Sequence, residues 1–119
     1  MFNFEKLEVW QKSVKFTNMV YEITEKFSKD EVFGVTMQLR RASASIALNI
    51  AEGSGRKSRK EFAHFLSLSY GSICEVITLL KIGLARNYIS QQTYELMYKE
   101  CEDIARMISG LSTSLNTKH

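Results

Sequence analysis

Apolar residues recur at steps of three and four in four stretches of the chain, at about 5–27, 32–53, 58–86 and 91–115, with no strand-like alternation between them. The fourth stretch is the most regular: Tyr94, Met97, Cys101, Ile104, Ile108, Leu111 and Leu115 form one seam of the kind that packs at a shallow crossing angle. The second carries Val35, Leu39, Ala42, Ile46, Asn49 and Gly53, and the third Phe62, Phe65 or Leu66, Ser69, Ile73, Val76 and Leu80. The first has two apolar faces. Leu7, Trp10, Val14, Thr17 and Tyr21 lie on one, and Val9, Phe16, Val20, Ile23 and Phe27 on the other.

The breaks between these stretches are short. Ser28 or Asp30 is expected to cap the second helix, and Ser58, with Glu61 three residues on, has the capping-box pattern for the third. Gly53-Ser54-Gly55 is read as the stop of the second helix, through the left-handed geometry that glycine takes easily. Asn87 is read as the end of the third, and Ser90 as the cap of the fourth. Helices of similar length, roughly 35–43 Å at 1.5 Å per residue, joined by short loops predict an all-α, antiparallel up-down-up-down four-helix bundle in one domain spanning residues 1–119.

A bundle needs about one apolar stripe per helix, and this chain has more. Besides the second face of helix one, helix two carries Phe33, Met37, Ala44, Ala47, Leu48 and Ala51 away from its core stripe. A monomer would leave that surface exposed, so a symmetric homo-oligomer is expected.

Charge sharpens the picture. Residues 34–60 hold six basic side chains, Arg40, Arg41, Arg56, Lys57, Arg59 and Lys60, against the single acid Glu52, while the segments on either side each hold five basic and six acidic residues. The whole excess behind the formal +3 therefore sits in one segment. Those six residues are the candidate nucleic-acid-binding set, since a local basic excess is the footprint of a polyanion partner. The alternative is a solvated basic turn. Arg40 and Arg41, being mid-helix, also have a packing role open to them, in a polar layer linking Arg41 with Glu75 or Glu52 near Asn49.

No catalytic or metal site is expected, and no cofactor. GSGRKS departs from the GxxxxGK[ST] phosphate loop and follows a helix rather than a strand. His119 ends the chain, where fraying is expected. Arg59 and His64 in RKEFAH resemble the Arg-x4-to-6-His motif of HEPN-type ribonucleases, in which arginine stabilises phosphate charge and histidine moves a proton; this is the less favoured alternative. Cys74 and Cys101 are expected to be reduced and mostly buried. No uninterrupted apolar run approaches the roughly 20 residues that cross a bilayer, and MFNFEKLEVW lacks the features of a secretion signal. A cytoplasmic protein with no membrane partner is expected.

The residues from Phe4 to Leu115 also resemble a known family, the four-helix-bundle proteins encoded by intervening sequences in bacterial 23S rRNA genes. The marks are Leu7, Val9 and Trp10; Tyr21 and Phe27; Gln38 to Ala42; Ser45 and Ile46; NIAEG at Asn49–Gly53; Gly55-Arg56; Phe62, Phe65 and Leu66; and Gly71-Ser72 with Glu75. The family often has proline where this chain has Ser28 and Ala47, a departure that leaves the helices more regular. The resemblance implies a homopentameric ring. It extends to the accessory variability determinant of diversity-generating retroelements, a basic pentamer that works with nucleic acid, and it brings no catalytic residues. A non-enzymatic, RNA-associated oligomer is thus the expectation, with a protein-binding scaffold as the alternative.

Overall fold

The computed structural model describes residues 1–117, so His119 lies outside the described residues. Four helices make up the fold: α1 (Glu8–Thr24), α2 (Val35–Ser54), α3 (Arg59–Ala85) and α4 (Gln91–Thr117). Short 3-10 turns at Asn3–Lys6 and Lys29–Glu31 precede α1 and α2, and no strand occurs among the described residues. The helices pack in chain order, α1 on α2, α2 on α3 and α3 on α4, with α1 closing against α4, to give a four-helix bundle 49 × 22 × 21 Å.

One continuous core fills it. Val9, Phe16 and Val20 enter from α1, Leu39, Ile46 and Ile50 from α2, Leu66, Ile73, Val76 and Leu80 from α3, and Met97, Cys101, Ile104 and Ile108 from α4. Of the two faces of α1, that of Val9, Phe16 and Val20 is the core face. Leu7, Trp10, Val14 and Thr17 are only half-buried, and Tyr21 is exposed. Lys12 pairs with Glu100 at 3.2 Å across α1 and α4. By length and hydropathy α3 is the one described helix that would also pass as a membrane span. It packs against both α2 and α4.

Several local expectations need correction. The first helix is shorter than its periodicity suggests, because residues 3–6 turn as 3-10 and bring Phe4 onto Trp10, with ring centroids 5.1 Å apart. Ser28 caps the short 3-10 turn, accepting the Asp30 N–H at 3.2 Å, rather than α2, which starts after Gly34 with no side-chain cap. The glycines after α2 are not left-handed: Gly53 and Ser54 are helical and Gly55 is right-handed, at φ −84°. Gly53 answers a different need. A Cβ there would lie 2.6 Å from the Phe65 Cβ and 2.9 Å from the Phe62 ring, so its hydrogen lets α3 approach.

The other ends match their sequence signals. Ser58 accepts the Glu61 N–H at 3.1 Å, and Ser90 that of Thr93 at 3.0 Å. Asn87, at φ 63°, closes α3, while Tyr88 N–H reaches the Gly83 carbonyl at 2.8 Å and Asn87 N–H that of Leu84 at 3.1 Å. This pair of bonds is the Schellman stop, and the Phe27 ring supplies its apolar contact to Tyr88, with centroids 5.3 Å apart.

Candidate nucleic-acid interface

The six basic residues divide into two groups. Fourteen residues of α2 separate Arg40 from Ser54, an axial distance of about 21 Å, and Arg56 lies two residues beyond. Arg40 is taken up by packing. Its Nε donates to Thr24 Oγ1 at 2.8 Å, a terminal nitrogen reaches the Tyr21 carbonyl at 3.4 Å, and its guanidinium lies 4.5 Å from the centroid of the Tyr21 ring. Thr24 is buried and passes its own hydroxyl proton to Val20 at 2.7 Å, so Arg40 anchors the end of α1 to α2.

Arg41 is exposed and lines a cleft of about 410 Å³ with Gln38, Ala42, Ser45 and Glu75. Among the described residues it pairs with neither Glu75 nor Glu52. The polar layer forms instead from small side chains. Ser45 and Ser72 share a hydrogen bond at 2.9 Å, Asn49 donates to the Ser45 carbonyl and hydroxyl at 2.9 and 3.0 Å, and Ser69 donates to the Ile46 carbonyl at 2.8 Å. Serines at this seam keep α2 and α3 close while satisfying their own polar atoms.

Arg56, Lys57, Arg59 and Lys60 form the second group, all exposed, on the α2–α3 turn and the start of α3. Because α2 is held close to α3 at Gly53, the turn between them is tight and displays these four cations at one end of the bundle. Arg56 is held on two sides. It donates to Glu52 Oε2 at 2.9 Å, and its guanidinium sits 4.7 Å from the centroid of the Phe65 ring. The exposed His64 meets the same ring edge-on at 5.7 Å. Phe65 and His64 thus place aromatic surface beside the charges. The stack joins residues nine apart across a turn, and only the adjacency of His64 and Phe65 hinted at it.

Arg59 and His64, five apart on one α-helix, point about 140° away from each other, so α3 alone does not converge them on one phosphate. No group of three or more metal-ligating side chains occurs among the described residues. Of the two free thiols, Cys101 is buried as expected but Cys74 is exposed. Burial, reinforced by the neighbouring Glu100 charge, pushes the Cys101 thiol up to about 12. Arg106, hydrogen-bonded to Asp103, holds that carboxyl below its usual range, helped by Lys99 and Lys12.

Fold and site together define an all-α bundle with a basic, arginine-on-aromatic turn at one end. The chain belongs to the 23S rRNA-intervening sequence protein family, whose model matches residues 5–110. It is similar in fold to the crystal structure of a protein of unknown function from the S23 ribosomal protein family of Bacteroides thetaiotaomicron, with a TM-score of 0.82 at 22% identity over 88% of this chain and 95% of that one. No curated protein matches the sequence.

Proposed function

We propose that this protein is a non-enzymatic, cytoplasmic homo-oligomer, a pentameric ring of up-down-up-down bundles, that binds RNA or other nucleic acid through its basic turn. The observation that carries the reading is the display of Arg56, Lys57, Arg59 and Lys60 together on one exposed turn and helix start. Repeated around a ring, modest attraction at each copy adds through many contacts. The contact register supports the antiparallel order: Thr17 meets Ser43 while Thr24 meets Arg40, and Gly53 lies by Phe62 and Phe65 while Ile46 meets Ser69. Across α3 and α4, Lys81 lies over Tyr94 and Leu66 shares a cleft with Ile108.

Oligomerisation draws support from a groove of about 370 Å³ on the outer side of α1 and α2, lined by Phe4, Trp10, Val14, Ala44, Leu48 and Ala51. Leu48 is 67% exposed there in the single chain. That groove also supports the second reading, a scaffold that binds other proteins. Light scattering combined with an electrophoretic shift of labelled RNA separates the two. A mass near five times 13.7 kDa together with a shift is the expected result. An oligomer that leaves RNA unshifted at low salt would move the assignment to the scaffold.

A further inference from the structure

Beyond its charge, the basic turn has a flat, fixed surface. Phe65 is half-buried, with its Cβ lodged against Gly53, so its ring is held by the α2–α3 seam. The Arg56 guanidinium lies over that ring at 4.7 Å, and Glu52 at 2.9 Å fixes it from the side. With 41% of the Arg56 side chain exposed, the guanidinium still reaches solvent. An arginine plane is weakly hydrated and stacks readily, and one already immobilised on a ring loses little further entropy when a second ring covers it. His64, exposed and edge-on to Phe65 at 5.7 Å, supplies a second aromatic surface beside the first.

We infer that Arg56 stacked on Phe65, flanked by His64, is a seat for an unpaired nucleobase, so that this interface takes single-stranded RNA in preference to duplex. The inference rests on the RNA-binding reading and deepens it. Lys57 and Lys60 hold the phosphates, while the Arg56–Phe65 stack takes a base. Bases within a duplex are already stacked on one another and offer no free face, whereas a single strand offers one at every nucleotide, whatever its identity. Glu52 belongs to the seat because it orients Arg56, and it offsets part of the charge there. The affinity that distinguishes single strand from duplex therefore comes from stacking rather than from net charge.

The test uses the full-length protein and three labelled probes of equal phosphate number: a single-stranded RNA, a blunt-ended RNA duplex, and an abasic strand. The expected result is that the single strand binds most tightly, on the order of tenfold above the other two, the scale of one stacked base. Arg56→Lys keeps the charge and removes the plane. It should bring the single strand down to the level of the abasic probe, with the duplex affinity and the salt dependence unchanged. His64→Ala should lower single-strand affinity by a smaller factor. Salt-dependent binding that is equal for all three probes and indifferent to Arg56→Lys would overturn this inference and leave the RNA-binding reading standing. Absence of binding to every probe would overturn both.

Discussion

Replacing Gly53 by alanine should destabilise the protein, although alanine is the better helix former. The added Cβ would stand 2.6 Å from the Phe65 Cβ, 2.9 Å from the Phe62 ring and 3.3 Å from the Phe62 carbonyl oxygen. Ordinary contact begins at 3.4 Å, and a Cβ cannot swing away, so α2 and α3 must separate locally by nearly an ångström. Overpacking of this kind costs about 1–3 kcal/mol, and a clash with backbone-anchored atoms belongs at the upper end. The better helix propensity of alanine returns about 1 kcal/mol. The net loss is about 2 kcal/mol, or roughly 5–10 °C in the melting temperature of a chain this size. Gly71 and Gly110 are the controls, because a Cβ at either meets nothing within 4 Å. Alanine at those sites should raise stability by about 0.5–1 kcal/mol. Urea melts of the three variants at one protein concentration decide the matter. A Gly53→Ala variant as stable as Gly71→Ala would refute the close-approach argument.

Four further outcomes are expected. Arg40→Ala should lower stability by about 2 kcal/mol, through loss of charged hydrogen bonds to Thr24 and Tyr21, and leave RNA affinity nearly unchanged; thermal melts and a binding titration check it. A thiol reagent should modify Cys74 promptly and Cys101 only on unfolding. Because burial pushes the folded Cys101 thiol up to about 12 from 9.0, the stability it contributes is complete below pH 9 and is lost as pH rises towards 12; a pH series of urea melts should show a steeper alkaline loss in wild type than in Cys101→Ala. Ala44→Glu, which puts a charge into the α1–α2 groove, should dissociate the oligomer while leaving each bundle helical, as read by light scattering and circular dichroism.

The helices and the core were legible because periodicity and burial have the same cause: Met97, Cys101, Ile104 and Ile108 are buried for the spacing that made them visible. Caps were legible where one side chain decides, as at Ser58 and Ser90. Gly53 was misread because a glycine near a helix end signals both a left-handed stop and a close approach, and only the position of Phe65 separates them. The candidate site was half legible. Counting charges found the segment, yet α2 carries Arg40 about 21 Å along its axis from Ser54, two residues before Arg56, and one-dimensional proximity cannot show that. The contact of Arg40 with Thr24 spans 16 residues and the stack of Arg56 on Phe65 spans nine, both across turns whose geometry the sequence leaves unspecified.

The central claim is that the turn at Arg56–Lys60 meets phosphate. Its most direct test is RNA affinity measured against salt concentration for the wild type and for a variant reversing Lys57, Arg59 and Lys60 to glutamate. Each phosphate contact contributes a slope of roughly −0.7 for a single strand. The wild type should therefore weaken steeply with salt, and the variant should bind more weakly with a shallower slope while its circular dichroism is unchanged. An affinity that ignores salt, or that the reversal leaves untouched, would contradict the account.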